Sequence, residues 1–194
     1  MKRYGILLVA VLLCMACDKE NVTTLPDDGA VRFEMKHPAT RATTTAFEQG
    51  DRIGLYITEY NGDIAAPLQI SGNWANNVVA SLDSEVWTTA KKIFWSDSKM
   101  DVYGYYPYMT PVSIDEQPFA VALDQSTERN GDQLGGYEAS DFLWAKSEGV
   151  AQAEGTVALR FAHRCSKLVV KLVKGASYEG DLPDNATVYI LSLI

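Results

Sequence analysis

The run of residues 157–173 limits most tightly what this chain can fold into. It reads Val-Ala-Leu-Arg-Phe-Ala-His-Arg-Cys-Ser-Lys-Leu-Val-Val-Lys-Leu-Val. Val157, Leu159, Phe161 and His163 share one parity, and Arg160 and Arg164 take the other. Period-two alternation marks a strand with one buried face, because successive side chains point to opposite sides of a sheet. From Ser166 the parity reverses: Leu168, Val170 and Leu172 share a side, while Lys167 and Lys171 point away. A slip of one residue moves every side chain to the other face, so the reversal requires an extra residue, a bend or a turn. The spacing predicts two strands joined by a bulge or corner at residues 163–166. This is sheet-core sequence with no evident chemistry.

The rest of the chain agrees in kind. Gly, Asn, Asp, Ser and Thr recur between short apolar runs, and no long helical stripe appears, which predicts an all-β domain. With 194 residues and 47% hydrophobic content the chain can build one sizeable core. A net charge of -8 argues against a nucleic-acid surface, and three cysteines are too few for a disulfide scaffold. Residues 31–37 alternate strictly, Val31, Phe33 and Met35 against Arg32, Glu34 and Lys36, and Pro38 closes this first strand. Residues 39–46 follow as a small, Thr-rich segment around Arg41, the kind of exposed loop that proteases cut. Further strands are expected at 53–58, 78–82, 100–108, 119–123, 141–145 and, at the end of the chain, 187–194, and Trp87 precedes an apolar run at 93–95. Residues 47–51 read as a turn, and 125–139 and 149–155 as loops.

Residues 1–16 read as an export signal. Lys2 and Arg3 form its basic start, and residues 6–13 form an uncharged apolar core too short to span a bilayer as a helix. A small residue, Ala16, then precedes Cys17, which resembles a bacterial lipobox; Cys14 and Met15 depart from its usual pattern. In that reading Cys17 is lipidated and becomes the mature N-terminus. The other reading is an ordinary signal peptide cut near Ala16. Residues 21–29 form a polar tether.

Candidate chemistry is sparse. His37 and His163 have no metal-ligand spacing around them. His163 shares the apolar face with Phe161, as a hydrogen-bonded core histidine does. Cys165 would lie beside it on a strand, but a Cys–His pair needs an orienting group to act as a nucleophile, and none is recognisable. A buried free cysteine is the ordinary reading. Asp141 and the acidic residues of 124–138 lack the spacing of a calcium loop. Trp74, Trp87, Trp95, Trp144 and the tyrosines of 103–108 would form a glycan platform only if two or more tryptophans share an exposed face; core packing is the default. No enzyme, cofactor or metal is indicated.

Several short motifs occur in a fixed order: Thr40-Arg41-Ala42-Thr43, Phe47-Glu-Gln-Gly-Asp-Arg-Ile-Gly-Leu-Tyr56, Asp101-Val-Tyr-Gly-Tyr-Tyr-Pro-Tyr108, Ser140-Asp-Phe-Leu-Trp-Ala145 and Phe161-Ala-His-Arg-Cys-Ser-Lys-Leu168. The ordered set resembles the fimbrillin-like lipoproteins, the major and minor fimbrillins, from about Val31 onward. The resemblance implies a type V pilus subunit with an all-β fold, an antiparallel, Greek-key, transthyretin-like N-terminal β-sandwich over residues 42–194. It implies that the second β-domain usual in the family is absent or truncated here, which leaves the sandwich incomplete at its C-terminal end. It further implies that residues 17–41 comprise a lipidated tether and a removable first strand, with Cys17 carrying the acyl chains, palmitate among them, in the outer membrane. An arginine-specific protease would cut between Arg41 and Ala42. The groove so opened would accept a donor strand from another fimbrillin subunit at the cell surface, serving adhesion. Residues 187–194 are a lesser candidate for such a donor. The competing expectation is a membrane-anchored surface glycan-binding lipoprotein.

Overall fold

The computed structural model of the chain describes residues 28–38, 46–166, 168 and 170–184. In chain order the strands are β1 (Arg32–Lys36), β2 (Arg52–Asn61), β3 (Ile64–Ala65), β4 (Ala75–Asp83), β5 (Val86–Thr89), β6 (Met100–Tyr106), β7 (Leu143–Val150), β8 (Thr156–Arg160) and β9 (Ala162–His163). One short helix, α1 (Gly136–Ala139), precedes β7. The large sheet runs in the order β5-β4-β2-β6-β7-β9, with β3 paired to the end of β2. All its pairs are antiparallel. A second layer holds β1 and β8, which pair with each other. The all-β fold expected from the composition, and the sandwich that the resemblance implies, are therefore the fold of the described residues.

The central strand, β2, is buried from Ile53 to Thr58 because both faces of the large sheet are covered. On the inner face lie Ile53, Leu55 and Ile57, beside Ala75, Val78 and Ala80 of β4, Val102 and Tyr106 of β6, and Leu143 and Ala145 of β7. Val157 and Leu159 of β8, with Phe161, cover that face. Gly104 makes the close fit possible: a Cβ built there would lie 2.9 Å from Phe161 Cζ and 3.1 Å from Leu159 Cδ1. The outer face carries Tyr56, Tyr103 and Tyr105, covered by Met109, Ile114 and Phe142 from irregular chain. The Tyr105 ring lies flat over Gly54, its cross-strand neighbour, and would collide with any side chain there. An aromatic ring over a strand glycine restores the packing the glycine lacks.

Three expectations need correction. The chain turns earlier than 163–166: β8 pairs with β1, β9 pairs with β7, and Phe161 is the residue at which the chain changes sheets. Phe161 N–H donates to Lys36 O at 2.9 Å and Arg164 N–H to Phe142 O at 2.8 Å, so each layer is tied on its own side of that corner. Secondly, the strand expected beyond Ser166 does not form among the described residues; Leu168, Val170 and Leu172 are 68%, 49% and 48% exposed. Alternation prescribes a strand only where a partner edge exists, and none of the described strands lies beside this segment. Thirdly, residues 119–123 are irregular: Ala122 N–H is taken by Ser140 Oγ at 2.8 Å, and Val121 and Leu123 are exposed. The strand expected over 141–145 begins at Leu143 and continues to Val150, which takes in the start of the expected loop. The expected strand at 187–194 lies outside the described residues, as does the export signal.

Candidate functional site

Strand β1 is the element whose attachment differs from the rest. It runs parallel to β8, with Phe33 opposite Val157 and Met35 opposite Leu159. Strands joined by a hairpin must be antiparallel; two strands this far apart in sequence are under no such constraint. Among the described residues β8 is its one ladder partner, and Val31 N–H donates to Ile93 O at 2.8 Å at its start. Val31 is buried, and Phe33 and Met35 pack partly buried against the same core. Three alternate side chains thus fill a trough along β8, while Arg32, Glu34 and Lys36 face outward, with Lys36 and Glu34 paired at 3.1 Å. The expectation of a first strand with one apolar face fits this geometry.

His37, the next residue of the inward parity, closes the far end of the trough. Its ring meets Phe47 edge-on at 4.9 Å between centroids and His163 at 6.0 Å. Phe47 is the hub of this end: Trp87, Tyr106 and Phe161 also meet it edge-on, at 5.3, 5.7 and 5.4 Å. Edge-to-face contacts of this kind place a ring's positive rim on its neighbour's negative face. His37, Phe47, Tyr106 and His163, with Glu48, Asp51, Glu138 and Asp141, line a pocket. Asp51 is buried; it accepts from Glu48 N–H at 2.8 Å, from the Tyr106 hydroxyl at 3.1 Å and from Arg129. Arg129 also pairs with Glu138 at 3.0 Å. Burial, and then the adjacent Asp51 charge, push the Tyr106 phenol far above its ordinary range. Burial, helped by His163, lowers the His37 pKa below its ordinary value despite the nearby aspartates, so the imidazole is held in its neutral form.

His163 Nδ1 is hydrogen-bonded to Asp141 at 2.7 Å, which holds the ring in place. Its Nε2 is buried with no partner among the described residues. Cys165 lies beyond the end of β9, so the register expected to set it beside His163 is interrupted. Asp141, earlier weighed only as a calcium ligand, is the orienting group that the sequence did not reveal. No group of three or more His, Cys, Asp or Glu residues among the described residues is arranged to hold a metal. Of the four tryptophans only Trp74 is largely exposed, at 45%, so the shared aromatic face that a glycan platform needs is not formed. Cys17, Arg41 and Ala42 lie outside the described residues. No helix among the described residues is long and apolar enough to cross a membrane.

A protein-family model described as fimbrillin-like matches residues 40–192. No curated protein matches the chain. Among solved structures, a Bacteroides uniformis protein described provisionally as a cell adhesion protein matches at 27% identity with a TM-score of 0.42. The match covers 71% of this chain and 49% of the other, so this chain spans about half that protein's length.

Proposed function

This chain belongs to the fimbrillin-like family, and from that membership we propose that it is the surface-exported lipoprotein precursor of a fimbrial subunit that serves adhesion. In this reading Cys17 carries the lipid anchor in the outer membrane, and an arginine-specific protease cuts between Arg41 and Ala42. Strand β1 then leaves with the tether, and a strand from a neighbouring subunit takes its place beside β8. The observation that carries the proposal is the mounting of β1: one ladder among the described residues, to β8, and the inward apolar side chains of Val31, Phe33 and Met35. Removing such a strand exposes a row of backbone donors and acceptors together with an apolar trough, and a guest strand satisfies both at once. Because donor and acceptor surfaces differ, the contact repeats head to tail and does not close, which builds a filament.

The test uses the full chain and an Arg41→Ala variant, each exposed to an arginine-specific protease and followed by size-exclusion chromatography and electron microscopy. The parent is expected to lose its N-terminal segment and form chains; the variant is expected to stay folded, lipid-anchored and monomeric. Equal assembly of the two would defeat the proposal.

A further inference from the structure

The far end of the trough has a chemistry that its three apolar positions lack. Glu48, Asp51, Glu138 and Asp141 are among the residues that line the pocket around His37, and one guanidinium, Arg129, is shared between the carboxylates of Asp51 and Glu138. The remaining wall is aromatic, with Phe47 and Tyr106. His163 Nε2 is buried and has no partner among the described residues. Aromatic walls and acidic residues that outnumber the one guanidinium together describe a receptor for a planar, hydrogen-bond-donating cation. The resident His37 meets this description only in part: it is planar but neutral, and its Nδ1 lies 3.1 Å from its own neighbour's carbonyl, Pro38 O.

We infer that this pocket is the specificity site for the strand that replaces β1, and that it selects an arginine at the fourth inward position, where the resident strand has His37. The inference rests on the strand-exchange reading above. It gives exchange a direction. A guest with arginine there gains charge pairing that the resident lacks, while the three apolar positions treat both strands alike. Residues 187–194 contain no His, Arg or Lys, so they make a poor occupant.

The experiment uses the full chain with residues 39–45 replaced by the recognition site of a sequence-specific protease. After cutting, labelled peptides of residues 28–38 compete with the resident strand, and binding is read by fluorescence anisotropy. The His37→Arg peptide is expected to bind about tenfold tighter than the parent peptide, the factor that a single well-placed cation contributes. The His37→Leu and His37→Glu peptides are expected to bind more weakly than the parent, with Glu the weakest because it adds a like charge. Equal binding of all four peptides overturns the pocket's role and leaves strand exchange standing. Failure of even the parent peptide to bind overturns strand exchange, and the inference with it. In cut chain carrying Asp141→Asn, the advantage of arginine over leucine is expected to shrink; an undiminished advantage would count against the pocket. Should that variant not fold, the peptide series on the parent chain still decides.

Discussion

Gly104→Ala tests whether the small layer really seats on the centre of the large sheet. The added methyl would lie 2.9 Å from Phe161 Cζ and 3.1 Å from Leu159 Cδ1, where carbon atoms prefer about 3.5–4.0 Å. Neither neighbour can swing clear easily: Leu159 is fully buried and Phe161 nearly so, and Phe161 also abuts Phe47. The second layer must therefore retreat by roughly half an ångström or more, an overpacking strain that costs about 2 kcal/mol. In a domain of this size that lowers Tm by about 4–8 °C. The assay is thermal or urea unfolding of Gly104→Ala beside Gly131→Ala as a control for glycine replacement. Gly131 has a positive φ and nothing within 4 Å, so its penalty is one of backbone strain alone. A double-mutant cycle with Phe161→Leu isolates the contact, since shortening the ring removes the closer clash; part of the Gly104→Ala loss should return. Because Phe161 N–H is tied to Lys36 O, amide exchange at the end of β1 should also quicken in Gly104→Ala. A neutral Gly104→Ala, or a cycle with no coupling, would refute the placement of Phe161 and Leu159 over Gly104.

Phe47→Ala removes the hub of four edge-on ring contacts and is expected to destabilise the fold by about 3 kcal/mol in urea unfolding, with faster release of β1 after cleavage. Asp51→Ala strips buried Tyr106 and half-buried Arg129 of a shared acceptor, and a loss of about 3 kcal/mol is expected; Asp51→Asn should lose less because it keeps an acceptor oxygen. His37 has a lowered pKa in the folded chain, so the folded state binds fewer protons than the unfolded one. Its contribution is intact above its ordinary 6.5 and declines as pH falls through the lowered value, and His37→Phe should flatten stability–pH curves in that window. Burial opposes the charge of Asp101, but hydrogen bonds from Gly149 N–H, Lys146 and Tyr60 outweigh it and lower its pKa below 3.8. Its stabilisation is therefore full above the ordinary carboxylate range and lost as pH falls through the lowered value; Asp101→Asn should be less stable at neutral pH and nearly unchanged in strong acid.

The first strand was legible in the sequence because everything that defines it is local. Val31, Phe33 and Met35 alternate with charged residues and Pro38 stops the run, so its limits and its inward face follow from parity alone. The same holds for Ile53, Leu55 and Ile57, and for Val157 and Leu159. The pocket was not legible. Asp51 lies 78 residues from Arg129, and Tyr106 lies 55 from Asp51, and nothing near any of them announces the other. Phe47 looked like a turn residue, and Asp141 like a solvated acid, until β7 and β9 brought Asp141 against His163.

The amino-acid sequence by itself determined which side chains face a core, because side-chain direction alternates with each residue whatever lies alongside. Only the tertiary structure decided which strand lies beside which. That choice made β1 parallel to β8, put the change of sheets at Phe161, and left Leu168, Val170 and Leu172 exposed despite their alternation. The physical reason is that a strand's backbone donors and acceptors are satisfied by another segment, and the closure of the whole chain determines which segment arrives there.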